Sequence, residues 1–200
     1  MYIVLEQLLD FIFPPSVEKQ CVRKISKEEL RLLYIPQLYD DVQFLSAYRD
    51  ERIRALIHEA KFHGNSNAYG LLGTLLEWFL NTKNIPYHII PIPLSKTRLR
   101  SRGYNQVEKI IRSCTLPQHM SLHTEVLIRK KDTRPQTELH RKERLLNVRD
   151  AFGVADEEAI RGKHILIVDD VTTTGTTLRT AKAALLPYKP ASVTCLALAH

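Results

Sequence analysis

At 200 residues, with 44% hydrophobic and 26% charged side chains and a formal charge of +7, the chain is long enough to bury a core and too apolar to be disordered. No apolar run reaches the ~18 to 20 residues that cross a bilayer, and Met1 to Phe13 carries Glu6 and Asp10 where a secretory signal would be basic and then apolar. This predicts a cytoplasmic protein without membrane insertion, and the scattered Cys21, Cys114 and Cys195, with no C-x-x-C pair, encode neither a disulfide framework nor a zinc site.

In chain order, Val4, Leu5, Leu8, Leu9 and Ile12 show helical spacing that Phe13-Pro14-Pro15 breaks, and Ser26-Lys27-Glu28-Glu29 reads as a capping box opening a second helix. Residues 1–40 are therefore expected to form a helical or loop-rich lead-in, and 41–200 one α/β domain. Val42 to Tyr48 reads as a strand, Asp50 to Phe62 as a helix burying Ile53, Leu56 and Ile57, and Asn67 to Asn81 as another helix. Tyr69, Trp78 and Phe79 on it are expected to pack in the core.

His88-Ile89-Ile90 is a short strand ending in Pro91-Ile92-Pro93, then a loop, then helical periodicity from Tyr104 to Ser113. Glu125 to Ile128 reads as a strand, and Lys130 to Arg141 is too polar to be buried and is expected to be a surface excursion. Ile165-Leu166-Ile167-Val168 is a further strand, Leu178 to Leu186 its following helix and Ser192 to Leu198 a final strand. Apolar strands alternating with helices imply a mostly parallel, helix-covered sheet.

The positive charge is concentrated. Lys96 to Arg112 has six Lys or Arg against one acid, Arg129 to Arg149 has eight against three, and the remainder is net acidic. A polyanion is the expected partner of these segments. His58, His63, His88, His123 and His140 show no metal-ligand spacing and read as structural or exposed.

Asp169 and Asp170 follow the apolar strand, where ligands of a parallel α/β sheet sit. Beyond them lies Val171-Thr172-Thr173-Thr174-Gly175-Thr176-Thr177, with Gly175 free to take positive φ and five threonine hydroxyls in reach. Main-chain amides of such a turn, with the positive end of the next helix, can bind a phosphate without a lysine. Carboxylates so close to a phosphate suit neutral donors such as the vicinal hydroxyls of a ribose. The competing phosphate motifs G-x-x-x-x-G-K-[ST] and G-x-G-x-x-G are absent. Taken on residues alone, a solvated strand end followed by a capped turn competes closely with this site.

Ile165 through Thr177 resembles the 5-phosphoribosyl-1-pyrophosphate (PRPP) signature of type I phosphoribosyltransferases. The chain resembles more narrowly the ComF family of competence-associated proteins (ComFC and GntX-like). Three stretches carry this. Ile90-Pro91-Ile92-Pro93-Leu94 with Lys96, Arg98 and Arg102-Gly103-Tyr104-Asn105-Gln106 is similar to that family's PVPL and RGxNQ elements. Arg129, Thr133, Gln136, Arg144, Asn147 and Phe152 are spaced as in its flexible loop, and Tyr48 with Lys61-Phe62-His63-Gly64 matches more weakly. One departure is plain: relatives commonly begin with a four-cysteine zinc ribbon, of which only Cys21 remains here, so no bound zinc is expected.

The resemblance implies a parallel five-stranded sheet flanked by helices, with a small hood. It implies PRPP held through Asp169, Asp170 and Val171 to Thr177, and pyrophosphate approached by Lys96 and Arg102. Magnesium is expected to arrive with the pyrophosphate, held by ligand and water oxygens without direct protein ligands. Arg129 and Gln136 are the catalytic candidates, Arg134 and Gln136 could contact bound PRPP, and His140 could enter a closed site. An enzyme of this kind would displace pyrophosphate with a nitrogen nucleophile that the residues do not name. The alternative is a non-catalytic module that handles single-stranded DNA with the competence machinery at the inner membrane face; a regulator that binds RNA is a third class.

Overall fold

The computed structural model describes residues 15–130 and 151–200. The helix expected around Val4 to Ile12 lies outside the described residues. So do Thr133, Arg134, Gln136, His140, Arg144 and Asn147.

Two short helices, α1 (Val17–Lys24) and α2 (Lys27–Leu33), come first. The Ser26–Glu29 capping box is present in full: Ser26 Oγ accepts from Glu29 N, and Glu29 Oε2 accepts from Ser26 N at 2.9 Å. Val22, Leu30 and Leu33 enter the same core as the sheet, so this lead-in is packed onto the domain. A hairpin of β1 (Gln37–Tyr39) and β2 (Val42–Ser46) follows, turning through Asp40 and Asp41, both at positive φ. Next come α3 (Glu51–His58), a π-helical turn (Glu59–His63) and α4 (Ser66–Leu80).

The sheet is completed by β3 (Tyr87–Pro91), β4 (Ser121–Leu122), β7 (His164–Val171) and β8 (Ser192–Ala199), in the order β1-β2-β8-β7-β3-β4. Five of these strands run parallel, as expected, and β1 adds an antiparallel sixth at the edge. Along β7 the apolar run splits between two faces, as the two-residue period of a strand requires. Leu166 and Val168 pack with α3, α4 and the helix α6 (Gln106–Arg112), whereas Ile165 and Ile167 pack with the helix α7 (Thr176–Leu185). All four are fully buried, each contributing ~1.5–3 kcal/mol.

Three expectations are corrected. The strand at Ile165 does not end at Val168 but continues through Asp169 and Asp170 to Val171. Its partner β8 runs to Ala199, and backbone pairing of Asp169 with Ala197 and Val171 with Ala199 holds whatever the side chain. The segment after β3 is not simply a loop: α5 (Lys96–Arg102) starts at Ser95, whose Oγ accepts from Arg98 N, and stops at Gly103 (φ +81°). It buries no residue, so it left no apolar periodicity to read. Finally, the strand near Ile128 is β5 (Leu127–Arg129), which leaves the main sheet and pairs antiparallel with β6 (Phe152–Val154). Burial pushes the Cys114 thiol up to about 12 and Cys195 up to about 11, which keeps both protonated.

Candidate functional site

The adjacent strands β3 and β7 deliver the chain to opposite faces of the sheet. After β3 the chain reaches α6, whose Val107, Ile110 and Ile111 pack on one face; after β7 it reaches α7, whose Leu178, Ala181 and Leu185 pack on the other. A crevice opens between two such connections beyond the strand ends, and this is where open α/β sheets hold ligands. One wall is fixed by Ile92, whose N–H donates to Val168 O at 2.8 Å and whose carbonyl accepts from Asn105 Nδ2 at 2.9 Å. Asn105 also caps α6, its Oδ1 accepting from Val107 N. The Arg102-Gly103-Tyr104-Asn105-Gln106 stretch is thus the joint between this wall and its helix.

The two aspartates point to opposite sides of β7 and differ in surroundings. Asp170 is buried, at 6% exposure, and its Oδ2 accepts from Gln106 Nε2 at 2.7 Å. Gln106 is itself buried and takes the Arg102 guanidinium on its Oε1, giving a chain of three polar side chains under the crevice floor. Asp169 is half-buried, and its Oδ1 accepts from the N–H of Asp170 at 2.9 Å. Burial, and then the charge of Asp170, push its carboxyl up to about 7, against the opposing pull of Lys61 and Arg129.

The threonine turn is shaped by bonds it makes to itself, to Ala199 and His200 at the end of β8, and to Arg179, which is in turn held by Asp40. Thr172 N donates to Ala199 O, Gly175 N donates to Thr172 Oγ1 at 2.9 Å, and Thr174 Oγ1 meets Thr176 Oγ1 at 2.8 Å. Gly175 sits at φ +70° and caps α7 with no side-chain bond. The first-turn amides of Thr176, Thr177 and Leu178 therefore lack helical acceptors, at the positive end of the helix. Arg179 clamps the turn by donating to Thr174 O and to Asp40 Oδ2, and His200 Nε2 lies 3.0 Å from Thr173 O. Thr173 and Thr174 are exposed.

Of the basic residues, Arg102 is half-buried with its guanidinium 5.6 Å over the Phe62 ring. Lys96 is exposed at the first position of α5. Arg129, on β5, lies 5.4 Å over the Phe152 ring and acts electrostatically on Asp169. Gln136, the other catalytic candidate, lies outside the described residues. A groove of about 700 Å³ adjoins the turn, lined by Tyr48, Ala55, Phe62, Val171 and Thr173 among others.

Arg179 and His200 were not legible from sequence as site residues, since Asp40 is 139 positions from Arg179 and Thr173 is 27 from His200. The histidines show no metal-ligand spacing in sequence, but the fold brings His58, Glu59 and His63 together, because the π-turn adds a residue to the helical repeat.

The family described as "Phosphoribosyl transferase domain" matches residues 75–200, which include both walls of the crevice. The "DNA utilization protein YhgH" of Escherichia coli O157:H7 is 33% identical over 144 residues, covering 69% of this chain and 63% of that protein. "Competence protein ComFC" of Bacillus subtilis is 34% identical over 114 residues, 55% of this chain and 43% of that protein. "Competence protein F" of Haemophilus influenzae is 34% identical over 95 residues, 47% and 42% respectively. The chain thus spans just under two thirds of YhgH and less than half of the two competence proteins. Among the described residues, no helix is long and apolar enough to cross a membrane.

Proposed function

The chain belongs to the phosphoribosyl transferase domain family, and on that premise we propose that it binds PRPP in the crevice between residues 92–95 and 172–177. The turn built on Thr172 and Gly175 takes the 5-phosphate through main-chain amides and the hydroxyls of Thr173, Thr174, Thr176 and Thr177. The observation that carries this is the shaped turn with an uncapped helix start beside a half-buried carboxyl at a strand crossover point.

Asp169 holds the ribose hydroxyls, because its side chain is the less engaged of the two. Asp170 contributes through Gln106, which fixes Arg102, and Arg102 with Lys96 faces the pyrophosphate. The donor set suits magnesium carried by the ligand, since the described crevice residues offer one lightly bonded carboxylate, Asp169, and no oxygen cage. When bound, that ion neutralises departing pyrophosphate charge. Arg129, which acts electrostatically on Asp169, is a candidate to stabilise the same charge, as is Gln136.

The names "DNA utilization protein" and "Competence protein" carried by the relatives support a wider role in handling DNA, and so do the exposed basic side chains of α5, Lys96, Arg98 and Arg100. The site reading is tested by calorimetric titration of PRPP with Mg²⁺ into the wild-type chain and Asp169→Asn. Saturable binding by the wild type that weakens at least tenfold in the variant supports it. No heat from a folded wild type removes it.

A further inference from the structure

Between α3 and α4 the helix changes pitch. Residues Glu59–His63 form a π-turn closed by Gly64 at φ +63°, whose N–H donates to Glu59 O. At 3.6 residues per turn, positions 58 and 63 would sit about 140° apart around the axis. The wider turn, with its i→i+5 bond, brings them onto one side. His58, Glu59 and His63 each offer one ligand atom there, all within 4.8 Å of one another, and the two imidazole rings are 5.4 Å apart.

Two further observations point to a ligand. The Glu59 carboxylate is 2% exposed; its Oε2 accepts from Asn65 Nδ2 at 2.8 Å, while Oε1 has Ser16 Oγ at 3.5 Å and His63 Nε2 at 3.9 Å. His58 Nδ1 is buried with no hydrogen-bond partner among the described residues. A buried ring nitrogen left without a partner is unfavourable unless something fills its place.

We propose that His58, Glu59 and His63 form a binding site for a zinc-type divalent cation. Two imidazoles and one carboxylate are a donor set that zinc takes in four-coordinate sites, and imidazole selects it over magnesium. Tetrahedral bonds of this kind place ligand atoms about 3.3 Å apart. The set closes to that spacing by rotation of His63, whose side chain is 52% exposed. The fourth position falls to water or to Glu18 of α1, which borders the same groove as His58. The ion would fasten α1 to the turn that carries Lys61 and Phe62. The site borders the groove that reaches Val171 and Thr173, and its three ligands are none of the residues assigned to PRPP, so it does not depend on PRPP being bound.

The test is calorimetric titration of the chelator-treated full chain with ZnCl₂, alongside the visible absorption of added Co²⁺. The wild type is expected to bind one equivalent, with a four-coordinate cobalt spectrum and a raised melting temperature. His63→Ala, at a half-exposed position that folding tolerates, should weaken binding at least tenfold and abolish the cobalt band. His58→Gln should do the same, and His123→Ala, in the stacked pair with His88, should leave binding unchanged. Absence of saturable zinc binding by the wild type, or wild-type affinity in both His63→Ala and His58→Gln, overturns the proposal.

Discussion

Gln106 Nε2 donates to Asp170 Oδ2 at 2.7 Å across 64 positions of sequence, joining the first turn of α6 to the end of β7. Both side chains are buried, and the other end of the amide carries Arg102. A nearly isosteric Gln106→Leu strips the carboxylate of its donor and releases the guanidinium. It should destabilise the fold by about 1–3 kcal/mol, measured as a lowered urea midpoint at unchanged slope. An unchanged midpoint means that water replaces the amide without loss.

Asp169 makes stability depend on pH in a definite direction. Its carboxyl titrates near 7 in the fold against an ordinary value of 3.8, so the folded state favours the protonated form. That contribution is full below about pH 4 and is lost as pH rises through about 7. The wild type should therefore lose stability relative to Asp169→Asn between about pH 4 and pH 8. Urea unfolding of both chains across that range checks it, and parallel curves would contradict the raised value.

Gly175 is the position where a side chain is least tolerable in the turn. Its φ is +70°, and an added Cβ would stand 2.9 Å from Val42 Cγ2 and 2.8 Å from Arg179 Nη1. Gly175→Ala should cost about 1–3 kcal/mol, and the displaced turn should lose PRPP. Thermal melting with and without ligand separates the two effects: the variant melts lower and gains nothing from the ligand.

If α5 meets a nucleic-acid backbone, its exposed Lys96, Arg98 and Arg100 set a salt dependence. Log affinity for single-stranded DNA should fall with log salt at about −0.7 per phosphate contacted. Converting Arg98 and Arg100 together to Ala should flatten the slope by one to two such contacts. Fluorescence anisotropy of a labelled oligonucleotide at several salt concentrations reads this directly, and an unchanged slope assigns the contacts to another surface.

Much of the fold was legible because its elements bury continuous apolar stretches. Ile165 to Val168 is apolar at every position, as a short β-branched-rich strand covered on both faces is, and Leu72, Leu75, Leu76, Phe79 and Leu80 mark α4 by their spacing. The Ser26–Glu29 box is a contact within four residues and could be read directly. Helix α5 escaped notice because it buries nothing, and the true end of β7 escaped because pairing to β8 carries it through two aspartates.

Local chemistry in the sequence determined the turn: threonines with one glycine after an acidic pair can fold in few ways, and Gly175 takes the positive φ that its lack of a Cβ permits. What tertiary structure alone decided is how the two acids divide their work. Neighbours on a strand face opposite sides, so Asp170 meets Gln106 from one layer while Asp169 stays half-buried with a raised carboxyl on the other. Such pairings, like Arg179 with Asp40 or His58 with His63, depend on which segments are brought together and on the pitch of a single turn. A residue's type does not encode its distance to partners far along the chain, and that distance sets both the electrostatics and the hydrogen bonds of the site.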